Sequence, residues 1–401
     1  MSQFRTNEEK NKLSKGLNAI LSQSVDERNS DRAPGVVFGV TNDSETVYLE
    51  SAGYSDVTSK DPLKKDTTFQ LYSCTKAVVI LGVLQLWERN LLDLDAPVKQ
   101  YVPEIEKCCI IKKHDENGAI ETKKPSTDVT MRMLLTHTAG FAYSFFNEEY
   151  CKARARTGKP DIFQMSPDIM EHTFLVFNPG EKWHYGMNID WAGVVVERIT
   201  GKRLGEFLKE SVFEPAQLDS FTFSIPDRSN LTKLHFRDEN GNLSLNKFQQ
   251  DINPPVDLGG SGIFGTIDDY LKYIRIWLNE GSTPEGVQLI KPETARYALQ
   301  NHLADGIDVT SLYPIESDIT RMVSENNPRE KWSLPFAITT SDSPTGRPKG
   351  SHYWCGIANL FYWIDTKNKI GGMWATQVLP FLDPSLKYYA ELEKKTYECI
   401  Q

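Results

Sequence analysis

Ser73 and Lys76 stand three residues apart, where an extended segment gives way to an apolar helical pattern. A serine in that position lies at a helix N-terminus, where free backbone N–H groups favour developing negative charge. Three residues make about one helical turn, so the lysine amine can return to the face of the serine hydroxyl. The spacing therefore indicates a nucleophilic serine with a lysine base, provided that burial or neighbouring charges lower the lysine pKa.

The motif alone has a simpler interpretation. Ser73 could cap the helix, and Lys76 could be a solvated surface lysine. A second Ser-x-x-Lys, at Ser244 and Lys247, lies in a polar stretch without helical periodicity, so chance also supplies the spacing. The chemical interpretation needs support from further residues.

Tyr185 follows a Pro-Gly turn and precedes a strongly apolar helical pattern. Its phenol could share a proton with Lys76 and relay it to a leaving group, although a tyrosine packed at a helix start is an equally simple interpretation. We interpret His137, at the end of a short helical pattern, as a residue that holds a loop by hydrogen bonds rather than as a base. Residues 259–262 are Gly-Gly-Ser-Gly followed by isoleucine, which is not the Gly-x-Ser-x-Gly turn of α/β-hydrolases.

Residues 353–357 open a predicted edge strand. Small residues in this segment would let an acyl group or a substrate backbone approach closely. A strand N–H beside that of Ser73 could form an oxyanion hole. The alternative is a strand start with an ordinary glycine.

Composition and charge exclude several classes of protein. A length of 401 residues predicts two lobes, and a net charge of −9 argues against nucleic acid or an anionic membrane as the main partner. No segment approaches the ~20 apolar residues of a membrane span, and the first residues lack the apolar core of a signal peptide. The six cysteines show neither metal-ligand spacing nor a disulfide framework, so we expect free thiols and a cytoplasmic protein. We find no motif for a phosphate, a dinucleotide or zinc, and expect no cofactor or metal.

Periodicity predicts strands near both ends of the chain and helices between them. The predicted strands are 35–41, 45–53, 357–364 and 370–378, and the predicted helices include 8–24, 190–200, 267–280 and 386–399. Residues 107–128 are charged and predict a surface loop, and residues 281–335 give no assignment.

The element order predicts an α+β fold, with one antiparallel sheet flanked by terminal helices and with an inserted helical lobe. Residues 1–66 and 255–401 would form the sheet lobe, and residues 67–254 the mainly helical lobe. Ser73 would then lie where the lobes meet, a usual position for a site.

Together, these motifs resemble those of the serine β-lactamase-related family, which has a serine β-lactamase/transpeptidase-like fold. The family includes class C β-lactamases, family VIII esterases and fungal acyltransferases. The segments that carry the resemblance occur in the family's order over residues 8–395, and they are 73–76, 134–140, 185–193, 259–266 and 354–356. The sequences of segments 359–365 and 375–380 are most similar to those of the fungal branch typified by the lovastatin side-chain acyltransferase.

The resemblance implies that Ser73 is the acylated nucleophile and that Lys76 and Tyr185 are the coupled base and acid. It also implies that the backbone N–H groups of Ser73 and Ile357 form the oxyanion hole. Many relatives have Tyr-x-Asn, whereas here Met187 takes the third position and Asn188 follows, so Asn188 is a less secure candidate for binding substrate.

β-Lactamases carry Lys-Thr-Gly where this chain has Trp354, Cys355 and Gly356. We expect these three residues and Tyr353 to bind the substrate. Without the lysine, a substrate carboxylate would lose its charge partner while still being desolvated.

The sequence thus predicts a serine ester hydrolase or acyltransferase that acts on uncharged esters or thioesters, with an alcohol as a possible acceptor. One alternative is a β-lactamase or D-amino-acid peptidase. Another is a non-catalytic binding protein on the same fold.

Overall fold

The computed structural model describes residues 3–114, 119–158, 173–310 and 330–400, together with residues 162, 166, 168–170, 315 and 319. The helices are α1 Asn7–Gln23, α2 Thr75–Glu88, α3 Met131–Leu135, α4 Glu148–Thr157, α5 Asn188–Thr200, α6 Leu204–Leu208, α7 Ile267–Leu278, α8 Pro292–Ala298 and α9 Leu386–Glu398. The strands are β1 Gly35–Asn42, β2 Thr46–Asp56, β3 Asp61–Pro62, β4 Phe69–Gln70, β5 Cys109–His114, β6 Ile120–Lys123, β7 Phe174–Leu175, β8 His235–Arg237, β9 Leu243–Leu245, β10 Phe264–Gly265, β11 Lys331–Trp332, β12 Ala337–Ile338, β13 His352–Gly356, β14 Leu360–Asp365, β15 Ile370–Ala375 and β16 Val378–Leu379.

The largest sheet is built from both ends of the chain. Its strands follow the order β11-β12-β13-β14-β15-β1-β2-β3, and neighbouring strands are antiparallel. Val37 of β1 lies opposite Ala375 of β15, so an early strand pairs directly with a late one. The predicted α+β class with an antiparallel sheet is confirmed.

Helices cover both faces of this sheet. Every residue of β1 is buried, because successive side chains point to opposite faces and each face has a helical layer. Phe38 packs in the cluster that contains Leu13 of α1, whereas Val37 packs in the cluster that contains Leu271 of α7. The latter cluster continues into α2 and α5. The boundaries between a sheet lobe and a helical lobe stay a prediction.

α2 is buried on all sides. All residues from Thr75 to Leu86 are buried, and α5 and α6 pack against this helix. A helix that is apolar all round is stable only inside a core, so its surroundings fix its position. Ser73 lies in the 3₁₀ turn Tyr72–Cys74 that precedes α2, and the α-helix itself begins two residues after the serine rather than at it.

The prediction of a surface loop at 107–128 was wrong. β5 and β6 form a hairpin there, and β5 also pairs in parallel with β7. The strand pattern is not apparent in the sequence because these strands carry many charged residues. In the hairpin, Lys112 and Lys113 form ion pairs with Glu121 on the facing strand. Residues 115–118 lie outside the described residues.

The predicted strand 357–364 begins later than expected. Residues 352–356 form the separate strand β13, and residues 357–359 make a turn into β14 in which Asn359 has φ +65°. β13 is an edge strand only in its second half, because the short strand β12 pairs with His352 and Tyr353 but not with the residues that follow. Residues 281–335, unassigned from sequence, contain α8 and β11, and much of 311–329 lies outside the described residues.

The described part of the chain holds no helix with the length and apolarity needed to cross a bilayer. Its six cysteines are free thiols, as expected. Within the same residues, no three His, Cys, Asp or Glu side chains come together as potential metal ligands.

A buried ion pair fixes the segment that follows β16. Arg237 donates to both oxygens of Asp383, with Nε 2.6 Å from Oδ2 and Nη2 3.1 Å from Oδ1. The two side chains are 1% and 0% exposed. Phe381 and Leu382, directly before Asp383, line the cavity described below.

We expect Arg237→Ala to lower the free energy of unfolding by about 3–5 kcal/mol, because Asp383 would stay buried without its counter-ion. Urea denaturation followed by circular dichroism measures this change. Arg296→Ala is the control, because it removes an exposed ion pair with Glu280 and should cost no more than about 1 kcal/mol. Equal losses in the two variants would contradict this interpretation.

Candidate active site

The turn that carries Ser73 is strained. Tyr72 has φ +45°, a left-handed conformation that residues other than glycine rarely adopt and that persists only where the surroundings hold it. The turn is held on both sides, since Leu71 N–H donates to Ile263 O at 2.9 Å and the Cys74 carbonyl accepts from the Tyr270 hydroxyl at 3.1 Å. Ser73 lines the cavity beside this turn.

Lys76 is buried directly behind Ser73. Its Nζ lies 3.0 Å from Ser73 Oγ. It also lies 3.1 Å from the Tyr143 hydroxyl and 2.7 Å from Gly260 O. Burial lowers the pKa of Lys76 to about 8, although the negative charge of Asp190 opposes this shift. The amine is therefore largely neutral in mildly alkaline solution.

The three contacts of Lys76 orient its lone pair. A neutral amine has two N–H donors and one lone pair. The Gly260 carbonyl can only accept a hydrogen bond, and the Tyr143 oxygen can accept another. With both N–H groups used in this way, the lone pair points to the Ser73 hydroxyl, which is the geometry of a base that accepts the serine proton.

Asp190 and Gly260 support this arrangement. Gly260 N–H donates to Asp190 Oδ1 at 2.8 Å, and the Tyr143 hydroxyl lies 3.5 Å from Asp190 Oδ2. A Cβ atom on Gly260 would lie 2.5 Å from Asp190 Oδ2 and 2.9 Å from the Tyr143 hydroxyl, so only glycine fits. Sequence reasoning assigned no role to Tyr143, Asp190 or Gly260, although the last two lie in segments that carried the family resemblance.

Tyr185 lies on the other side of Ser73. Its hydroxyl accepts a hydrogen bond from Trp354 Nε1 at 3.0 Å. Burial raises the pKa of Tyr185 well above its usual value, and the nearby Ser73 hydroxyl and the Trp354 indole oppose this shift. Lys76 Nζ lies 4.7 Å from the centre of the Tyr185 ring. The phenol oxygen to which Lys76 is hydrogen-bonded belongs to Tyr143, not to Tyr185. The Tyr185 phenol next to Ser73 therefore keeps its proton near neutral pH.

Gly356 brings the sheet against the serine turn. A Cβ atom there would lie 2.8 Å from Leu71 O, so glycine allows β13 to reach this backbone. Ser73 and Ile357 line the same cavity, although Ile357 lies in the turn after β13 rather than in a strand. An oxyanion hole formed by their N–H groups stays a prediction.

The cavity in front of Ser73 is largely aromatic and apolar. Tyr353, Trp354 and Cys355 line it, whereas Gly356, predicted with them, is not among the described lining residues, and substrate binding by all four stays a prediction. Burial raises the pKa of the Cys355 thiol to about 12, so this cysteine remains a protonated, weakly polar group. The other described lining residues are Tyr72, Tyr143, Phe145, Phe146, Ile162, Trp183, Tyr185, Ser261, Val309, Thr310, Glu330, Phe361, Phe381 and Leu382.

The structure does not bring Asn188 to this cavity, which corrects its assignment as a substrate-binding residue. Its side-chain amide lies 3.1 Å from His137 Nδ1 and also contacts the carbonyls of Phe141 and His184. Asn188 is the first residue of α5, so its amide turns back towards the preceding loop. His137 contributes to the same loop, because its carbonyl accepts from His184 N–H at 2.8 Å.

His352 and the second Ser-x-x-Lys pair also lie apart from Ser73. His352 Nε2 is 2.9 Å from Leu299 O, and burial lowers the pKa of the histidine to about 4, so it supplies no positive charge. Ser244 and Lys247 line a groove beside β9 that shares Tyr72 and Ile357 with the cavity of Ser73, but neither of them lines that cavity.

The fold and the serine–lysine site are those expected for the serine β-lactamase-related family, and comparison with known protein families agrees. The beta-lactamase family model matches residues 17–393, and the chain belongs to this family. The chain is 28% identical over 367 residues to the acyltransferase calJ of Penicillium decumbens, which covers 88% of this chain and 85% of the relative. It is also 28% identical over 362 residues to a lovastatin esterase of Penicillium rubens. This match covers 86% of this chain and 89% of the relative.

Among solved structures, simvastatin synthase from Aspergillus terreus, in its LovD6 mutant form, has a TM-score of 0.79 and 24% identity to this chain. The match covers 97% of each chain. At this identity the likeness shows the fold, whereas the curated relatives add that similar chains are acyltransferases and esterases.

We expect Tyr143→Phe to lower kcat about tenfold or more with little change in KM, because one N–H of Lys76 would lose its acceptor and the lone pair its orientation. Steady-state kinetics on p-nitrophenyl butyrate provide the measurement. Tyr273→Phe is the matched control, since Tyr273 is a buried tyrosine of α7 whose hydroxyl is not among the hydrogen-bond partners of Lys76. An unchanged kcat in Tyr143→Phe would show that Tyr143 does not orient the lysine.

Proposed function

We propose that this chain is a serine ester hydrolase or acyltransferase that works through an acyl-enzyme on Ser73. The observation that carries the proposal is the buried Lys76 amine, 3.0 Å from Ser73 Oγ beside an aromatic cavity. A binding protein would gain nothing from burying an ionisable lysine behind a serine, since burial destabilises the charged form. The relatives named as an acyltransferase and an esterase support the same reaction class.

In the proposed reaction, Ser73 Oγ attacks the carbonyl carbon of the ester while Lys76 accepts the hydroxyl proton. The N–H groups of Ser73 and Ile357 stabilise the oxyanion. The C–O or C–S bond then breaks, and Tyr185 supplies a proton to the leaving oxygen or sulfur. The proton held by Lys76 restores the phenol, which leaves the acyl group on Ser73.

Water or an alcohol completes the cycle. Either one attacks the acyl carbon and loses its proton to the Tyr185 and Lys76 pair, and Ser73 leaves with a proton. The two outcomes define a hydrolase and an acyltransferase, and the relatives include both. We therefore propose a small acyl ester or thioester as the donor and an alcohol as a further acceptor.

We further propose a cytoplasmic location without nucleic acid or membrane partners. Six free cysteines and a net charge of −9 support this placement.

The cavity favours uncharged esters over substrates with a carboxylate. β-Lactams carry a carboxylate near the scissile amide, whereas Trp354 is uncharged and Cys355 is a poor hydrogen-bond donor. The carboxylate lining this cavity, Glu330, has the same sign of charge as such a substrate. A desolvated substrate carboxylate would therefore be left without a partner.

We expect kcat/KM for p-nitrophenyl butyrate to exceed that for nitrocefin by at least about a hundredfold, because burying an unpaired carboxylate is costly. Both substrates are assayed on the same preparation, and Ser73→Ala provides the blank for each. Comparable efficiencies would favour the β-lactamase alternative.

The activity should also depend on pH through Lys76. The amine accepts a proton only when neutral, and its pKa is about 8, so kcat/KM should rise as pH increases through about 8 and then level off. Tyr185 keeps its proton over this range because its pKa is raised. Initial rates on p-nitrophenyl butyrate, corrected for background hydrolysis, test the prediction, and a profile flat from pH ~6 to ~10 would contradict it.

A further inference from the structure

Glu330 is a cavity residue that the proposed reaction does not use. Among the described residues that line the cavity, it is the one carboxylate, and none has a cationic side chain. Glu330 precedes β11, and its carbonyl accepts from Val309 N–H at 3.2 Å. Its carboxylate accepts a hydrogen bond from the Tyr353 hydroxyl, and burial raises its pKa. Burying this group is costly, so it requires an explanation.

In the described part of the chain, Arg347 is the cation that acts on Glu330, and a second carboxylate competes for it. The Arg347 guanidinium stacks on the Tyr353 ring, 4.7 Å from its centre, and lies 3.4 Å from Glu393. When both Glu330 and Glu393 are ionised, two carboxylates share one guanidinium. Arg347 packs against Tyr353 and is absent from the described cavity lining, so Glu330 presents the charge that a ligand meets.

Cys355 lies near both Glu330 and Lys76. The pKa of Cys355 responds to the charges of both Lys76 and Glu330, so this thiol lies within the field of each. The charge of Lys76 is itself opposed by nearby Asp190. Among the described residues, Lys76 thus has a counter-charge in Asp190, whereas Glu330 shares Arg347 with Glu393.

Aromatic rings form much of the remaining wall. The cavity is lined by Phe145, Phe146, Trp183, Tyr353 and Trp354, among others. The faces of such rings attract cations, and Tyr353 is in contact with Glu330, so aromatic and carboxylate groups suited to an alkylammonium line the same cavity. β13 joins the two regions, because Ile357 lies just after it and Tyr353 lies within it beside Glu330.

We propose that the cavity selects esters whose acyl chain ends in an alkylammonium group, with Glu330 as the residue that determines this specificity. The inference rests on the proposed function and extends its substrates from uncharged esters, which remain substrates, to cationic ones. The ammonium supplies a counter-charge to the half-buried Glu330, which otherwise shares Arg347 with Glu393. A chain that follows β13 from the scissile carbonyl passes Cys355 and Trp354 before it reaches Tyr353 and Glu330.

The test compares matched p-nitrophenyl esters whose acyl chains, about four to eight carbons long to span part of β13, end in trimethylammonium or in its neutral isostere tert-butyl. In the unmodified protein, kcat/KM for the best cationic ester should exceed that for its isostere on the order of tenfold. Glu330→Gln should abolish this preference, so that the ratio of kcat/KM for the cationic ester to that for the tert-butyl ester falls to about one. Glu293→Gln, which removes the same charge from an exposed position in α8, should retain it.

Equal rates for the two esters in the unmodified protein, or a preference that survives Glu330→Gln, would overturn the inference. Calorimetric titration of both esters onto Ser73→Ala measures the preference without turnover. Tighter binding of the cationic ester there, with no ester cleavage by the unmodified protein, would support the inference and overturn the proposed function. Equal binding together with normal cleavage would overturn the inference alone.

Discussion

The burial of the Lys76 amine is the constraint on which the rest of the site depends. Removing an ammonium from water destabilises its charged form, and this loss lowers the pKa of Lys76 to about 8, as the proposed role of a base requires. The amine still needs hydrogen-bond partners, which come from the turn before α2, from Tyr143 and from Gly260. These partners are distant in sequence, so the base exists only when the core around α2 is packed.

The sheet completes the site from the opposite side. β13 reaches the serine turn because Gly356 lacks a side chain that would contact Leu71 O. One residue before Cys355 on the same strand, Trp354 donates to the Tyr185 hydroxyl. The strand that borders the cavity thus also holds Tyr185, so one element would link the proposed substrate contact and the proposed proton transfer.

Local patterns predicted only part of this arrangement. Ser73 and Lys76 could be recognised because they lie one helical turn apart, and β1 and β2 because their apolar residues are dense and end at a turn. Tyr143 and Gly260 could not, since they lie 67 and 184 residues from Lys76 and their roles arise from tertiary packing. The hairpin of β5 and β6 was missed because cross-strand ion pairs give it the composition of a loop.

We propose that Ser73 Oγ is the nucleophile that becomes acylated. Mass spectrometry of protein quenched in acid during turnover of p-nitrophenyl butyrate tests this most directly. The account predicts one added butyryl group, mapped by proteolysis to the peptide that contains Ser73 and absent from Ser73→Ala. Ser261 lines the same cavity, so Ser261→Ala should still be acylated. A butyryl group mapped to Ser261, or undiminished ester cleavage by Ser73→Ala, would contradict the account.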